Sequence, residues 1–370
     1  MPFTFCAAIA AASLSIAQTS PSHSPAATST PATNEPAPKP IAAVLYATRG
    51  DNKIHVLAAD DLRLLKSIDA GLGAHELAVD ATGRFAMGSA YGGPGQGHQP
   101  ADKRLVVIDL PKALVHRTIT LEGADRPNDI AFIAPTHNAG NSFEAWVTAE
   151  VPQQVLRVNV DTGNVTRHAI DGMAGHMLAL APDAKSVYLA HVIPGTVNFI
   201  DAQAGTVSKS VTVPLGAEGI AIAPDGATLW VASNRSNKVS IIDTKEAKVT
   251  TTLDRSGFPF RLRFSPDGKW VAISCPQTQD IALYDAKNPK TVHRIDPNKY
   301  EDKPLADQMV PTALAFSPDG TSLYALCSGD KPAIVAIDVA KRQVRGYTRC
   351  HGPIEDALAV ATIQWAGAGA

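Results

Sequence analysis

The sequence predicts an all-β protein: a seven-bladed β-propeller of four-stranded antiparallel blades, its ring closed by pairing of the N- and C-terminal segments. Three observations predict it. A turn followed by two short apolar strands recurs, with Pro182, Pro224 and Pro266 standing 42 residues apart and Pro318 following after 52. An apolar strand precedes each turn: "HELAV", "NDIAF", "HMLAL", "EGIAI", "FRLRF" and "TALAF". The last such strand, "IEDALAV" (354–360), has no hairpin after it, whereas the first hairpin, "VLYATRGDNKIHVLAAD" (44–60), has no strand before it. A sheet completed by both ends closes a ring and removes the exposed edges that invite aggregation.

In chain order, residues 1–17 read as an export signal. An apolar run from Phe3 to Ile16 ends in Ser15-Ile16-Ala17, the small-x-small pattern accepted by a signal peptidase before Gln18, with only the α-amino group supplying positive charge. Cys6 is not in a lipoprotein cleavage context. Residues 18–40 are rich in Pro, Ser, Thr and Ala without apolar periodicity. They cannot bury enough surface to offset their ordering entropy and read as a disordered tether. The propeller is expected over 41–365.

The unit is clearest in "APDGATLWVASNRSNKVSIIDTKEAKV" (223–249). Pro224 presets φ at the second position of a type I turn, and Gly226 accepts positive φ at its fourth. "TLWVAS" and "VSIID" are strands joined by "NRSNK", and Asp243 ends the second, its carboxylate placed to accept from the next turn. Equivalent acids are Asp201 and Asp285, with Asp109, Asp161 and Asp338 in related places. Upstream turns are "VDATG" (79–83) and "IAPTH" (133–137).

The chain resembles the YVTN-type β-propeller repeat family, best through "LWVASNRSNKVSIIDTKEAKV". The resemblance covers about residues 41–362 and implies an exported seven-bladed scaffold like those of periplasmic and surface-layer proteins. It implies no particular reaction.

Net charge is −2 and no basic block of five or more occurs, which argues against a nucleic-acid partner. No apolar run reaches the roughly 18 residues that a membrane-spanning helix needs.

In a propeller the innermost strand of each blade runs along the axis, so one residue per blade stands at the channel mouth. That column reads His75, Asn128, His176, Glu218, Phe260, Thr312 and Asp356; the next reads Glu76, Asp129, Met177, Gly219, Arg261, Ala313 and Ala357. Binding candidates are therefore His75, Glu76, Asn128, Asp129, His176, Glu218, Arg261 and Asp356, with His351 from "TRCHGPIED" beside them. Imidazole and carboxylate together suit a divalent metal, with His75, His176 and Glu218 as its ligands; a polar mouth without a metal is the competing reading. Arg261 and Arg263 are charges on an inner strand: one pairs with an acid such as Glu218 or Asp356, or grips an anionic ligand.

Two long connections, 92–104 and 296–311, fall on the mouth side and bring Tyr91, His98, Lys103, Arg104, Lys299, Tyr300 and Asp307. "TRCHG" lacks the first Cys of a haem-attachment motif. Cys275 and Cys327 share a column; Cys327 and Cys350 are either bridged or free buried thiols. No G-x-S-x-G, H-E-x-x-H, Walker loop or dinucleotide fingerprint occurs. The expectation is an exported binding or interaction propeller whose mouth takes a small ligand, a peptide or a partner protein, with no certain cofactor and catalysis left open. The alternatives are a metal-assisted, lactonase-like hydrolase using His75, Glu76, His176, Glu218 and Arg261, or a propeller subunit of a periplasmic redox complex.

Overall fold

Second and third strands such as Trp270–Cys275 and Asp280–Asp285 are apolar along both faces, as a sheet covered on both sides requires. In the computed structural model, which describes residues 40–93, 100–134, 142–301, 303–305 and 307–365, these strands lie inside a ring of seven sheets. The predicted signal lies outside the described residues. So does the tether, except Pro40, which begins the first strand.

Blade 1 has the strand order Ile354–Gln364, Pro40–Thr48, Lys53–Ala58, Leu64–Asp69 from the axis outward. Blades 2 to 7 begin with the inner strands Glu76–Val79, Asp125–Ile133, Met173–Leu180, Ala217–Ile222, Leu262–Phe264 and Val310–Phe316, each followed outward by three consecutive antiparallel strands. The ring closes as expected: Pro40 to Tyr46 run antiparallel to Gln364 to Leu358.

Among the described residues, seven clusters of buried apolar side chains form the seven layers between neighbouring blades. Phe85, Met87 and Leu105 of blade 2 meet Val147 and Leu156 of blade 3, and Trp230 and Val239 of blade 5 meet Val271 and Ile273 of blade 6. Burial at both faces of every blade supplies most of the stability, on the order of 25 cal/mol per Å² of apolar surface removed from water.

The turn chemistry holds. Gly226, Gly268 and Gly320 adopt φ +74, +69 and +72, and each donates its amide to the carbonyl three residues back. The strand-end acids accept as expected: Asp243 from Glu246 N–H, Asp201 from Ala204, Asp285 from Asn288 and Asp338 from Lys341. Asp161 is the exception. In blade 3 the strand ends two residues earlier, and Asn159 accepts from Thr162 instead.

Cys275, Cys327 and Cys350 are free thiols. Cys327 packs into the layer between blades 6 and 7, whereas Cys350 packs against the layer between blades 7 and 1. A sheet separates the two, which settles the alternative against a bridge. Of the two long connections, residues 296–305 do not reach the mouth. Asn298 binds both backbone groups of Met309, Tyr300 packs edge-on to Tyr347 of the outer strand of blade 7, and the segment walls a groove of about 440 Å³ between blades 6 and 7.

Candidate functional site at the channel mouth

The inner strands slip register at their mouth ends in blades 1, 3, 4, 5 and 7, between partners such as Pro127 and Ile130 or Gly175 and Leu178. Such bulges re-aim side chains. Here they sit where Asn128, His176, Glu218, Thr312 and Asp356 leave the sheet. Hydroxyls on the second strands fix the neighbouring inner strands: Ser89, Thr148 and Ser274 donate to the carbonyls of Asn128, His176 and Thr312 at 2.6, 2.8 and 2.6 Å.

At the centre Arg261 of blade 6 crosses the axis. Its side chain is 1% exposed; Nη2 donates to Glu76 at 2.6 Å and Asp356 at 3.0 Å, and Nη1 lies 3.4 Å from Glu218. These acids come from blades 2, 1 and 5, so one guanidinium ties four blades together. Its carbon lies 4.1 Å from the Phe260 ring centroid, a cation–π contact. Burial opposes the charge on Arg261, but Glu76, Asp356 and Glu218 outweigh it and raise its pKa above the usual value. Burial pushes the Glu76 carboxyl up to about 7 against the pull of Arg261, so this acid holds its proton near neutrality.

A second chain of contacts lies beside this clasp. His176 Nδ1 is 2.8 Å from Glu150 and Nε2 is 3.5 Å from Glu218. Burial alone would lower the imidazole pKa; the two carboxylates overcome it and raise it to about 10, which favours the charged ring between Glu150 and Glu218. Burial would likewise raise Glu218, but His176, Arg261 and the Asn234 amide hold it down at about 2. Glu150 also accepts from the Tyr91 hydroxyl at 2.6 Å and from Asn128 Nδ2 at 3.1 Å. That Asn128 nitrogen sits 2.9 Å from His176 Nδ1, and its buried Oδ1 has no partner.

Thus Glu76, Asn128, His176, Glu218, Arg261 and Asp356 come together as the strand columns predict, and the pairing of Arg261 with Glu218 and Asp356 is the one expected. His75 sits at the edge, its ring 4.7 Å from that of Tyr91. Asp129 does not face the mouth: it is buried, and its carboxylate accepts the amides of Leu178 and Ile130, with burial raising its pKa. His351 lies apart, ring-to-ring with His55 at 5.2 Å, its amide 3.4 Å from the Tyr46 hydroxyl. Arg263 donates to the Leu262 carbonyl.

Of the loop residues, only Tyr91 joins the network. Lys103 pairs with Glu122, Arg104 with Asp102, and Asp307 with Arg349 and Lys331; His98 lies outside the described residues.

The proposed metal ligands do not form a preorganised centre. Among the described residues no three His, Cys, Asp or Glu side chains are grouped to hold a metal ion. Both nitrogens of His176 face carboxylates, Glu150 at 2.8 Å and Glu218 at 3.5 Å. Two participants, Glu150 and Asn234, escape a reading of inner strands alone. Their signal is the column at the mouth end of the second strand, where "TLWVASN" and "EAWVTAE" break an apolar run with a polar residue.

The sequence model described as YNCE-like beta-propeller matches residues 107–241 and 216–362. No curated protein matches the chain. Among solved structures, a functionally unknown protein from Desulfotomaculum acetoxidans superposes with TM-score 0.67 at 15% identity, covering 87% of this chain and 99% of that one. Hydrazine synthase of Kuenenia stuttgartiensis superposes with TM-score 0.60 at 17% identity, covering 72% and 77%. Likeness at such identity establishes the fold alone.

Proposed function

The chain belongs to the YNCE-like β-propeller family, and from that premise we propose that it is a binding propeller whose ligand site is the channel mouth. One observation carries this reading. Four blades converge on Arg261, and around it the side chains of His176, Glu218 and Asp356 remain 19%, 15% and 15% exposed. The buried ion pairs fix the positions of these polar groups, the preorganisation a binding site needs. The YVTN-type repeat and export to the periplasm or beyond are part of the proposal, supported by the 229–249 repeat and the apolar run Phe3–Ile16. Hydrazine synthase shares the architecture and lends no reaction to it.

A thermal-shift screen with free amino acids, short peptides, sugars and nucleotides tests the site, since a ligand that binds only the folded state raises its melting temperature. A hit should stabilise the wild type and the outer-strand control Lys248→Gln but not Asp356→Asn or Glu218→Gln. Hits that stabilise all four proteins equally would place the ligand elsewhere and refute the reading.

A further inference from the structure

His351 lies outside the mouth network, and the ring it meets, His55, is the centre of a second network on blade 1. His55 is the third residue of the strand Lys53–Ala58 and is buried. The same place in the third strands of blades 2 to 7 holds Val106, Leu156, Asn198, Ser240, Ala282 and Val335. Valine, leucine or alanine fills it in blades 2, 3, 6 and 7, so the packing of a blade does not call for an imidazole there.

His55 Nδ1 lies 2.9 Å from Ser67 Oγ of the outermost strand, and Nε2 lies 3.0 Å from Thr48 Oγ1 and 3.8 Å from Asp51 Oδ2. Tyr46 stacks on the ring at 4.8 Å. The Thr48 hydroxyl donates to Asp51 Oδ1; the Lys53 carbonyl is farther off, at 3.4 Å. One arrangement of protons satisfies this chain. Thr48 gives its proton to the carboxylate, so its oxygen accepts from His55 Nε2–H. That tautomer leaves a lone pair on Nδ1, which accepts from the Ser67 hydroxyl.

Burial, helped by His351 and Lys53, holds the His55 pKa below the usual 6.5 against the pull of Asp51, so the ring is neutral at pH 7. Cys350, the other ionisable group near Tyr46, stays a thiol, its pKa pushed up to about 12 by burial. Ser67 is partly exposed, so its hydroxyl borders solvent. Blade 4 supplies an internal comparison. His191, Asn198 and Ser210 occupy the places of Thr48, His55 and Ser67, joined at 3.0 and 2.8 Å. There the serine donates to an amide oxygen, which cannot take its proton.

We propose that Ser67 is a nucleophile that His55 activates for attack on carboxylic esters, with Thr48 and Asp51 as positioning residues that fix the tautomer. Ser67 Oγ bonds to the acyl carbon as its proton passes to Nδ1. The ester C–O bond then breaks, and the alkoxide leaves as an alcohol with that proton. Water next adds to the acyl carbon, giving one proton to Nδ1, and Ser67 departs with it, which releases the carboxylic acid. The site is separate from the channel mouth and does not depend on the mouth binding a ligand.

The test treats the full chain with a fluorophosphonate probe, which bonds to an activated serine with loss of fluoride, and maps the label by mass spectrometry; hydrolysis of p-nitrophenyl acetate is followed in parallel. We expect Ser67 to label faster than any other serine, Ser210 included, and Ser67→Ala to remove both signals. His55→Val, the residue that blades 2 and 7 carry in this place, should slow labelling by about 100-fold. The labelling rate should rise with pH through a midpoint below 6.5 and level off at neutrality. Because Asp51 raises the His55 pKa, Asp51→Asn should move that midpoint to lower pH, a shift that a merely structural carboxylate would not produce. Asp51 is partly exposed, so this variant should keep the wild-type melting temperature and decides the matter even if His55→Val fails to fold. Labelling of Ser67 no faster than that of Ser210, a rate indifferent to His55→Val, or a midpoint unmoved by Asp51→Asn overturns the proposal.

Discussion

Replacing Arg261 by Met tests the central clasp. Methionine keeps the apolar stem over Phe260 and removes the charge that faces Glu76, Asp356 and Glu218. Breaking a buried ion pair costs about 3–5 kcal/mol, because the remaining charge is left in a medium that solvates it poorly. That is the loss expected in urea unfolding at about pH 8. The loss must shrink on acidification. In the wild type Glu76 takes up its proton near pH 7; without Arg261 it holds it at higher pH, and Glu218 follows upward. The folded variant therefore binds more protons than the folded wild type and gains relative stability as pH falls. One extra proton over one pH unit is worth about 1.4 kcal/mol, so by about pH 5.5 the difference should have narrowed by at least that much. A second substitution, Glu76→Gln, should recover part of the loss at high pH. A difference below about 1 kcal/mol, or one equal at both pH values, would refute the argument that this guanidinium is held by buried charge.

Two further outcomes follow from the same geometry. The imidazole of His176 should remain protonated by ¹⁵N NMR well above neutral pH and titrate near about 10, and Glu150→Gln should bring that value down. In stability terms, the contribution of charged His176 is complete below its unfolded value of 6.5 and is lost as pH rises through about 10, whereas that of Glu218 is present above 4.5 and is lost as pH falls towards about 2. Alkylation of the unfolded protein without reductant should label Cys275, Cys327 and Cys350 alike in the mass spectrum; a Cys327–Cys350 disulfide would contradict their placement in different layers.

The ring was legible because its causes are local and repeated. A Pro at the second turn position, a Gly three residues after the residue that starts the turn, and an acid at the strand end each act within a few residues, and each recurs at nearly constant spacing. The split blade was legible for the same reason, since an unpaired strand at one end matched a missing strand at the other. The mouth was legible as a column but not as a network. Register along inner strands brings Glu76, His176, Glu218, Arg261 and Asp356 to one level, yet nothing local says that Arg261 reaches the far side of the axis to Glu76, 185 residues away in sequence. His351 shows the converse. It is near the inner strand in sequence, but its ring lies against His55 of the third strand. A tight repeat fixes backbone positions, and long side chains then choose partners by charge and burial. Among the described mouth residues Arg261 meets three acids, which is why one substitution there should be felt by blades 1, 2, 5 and 6 together.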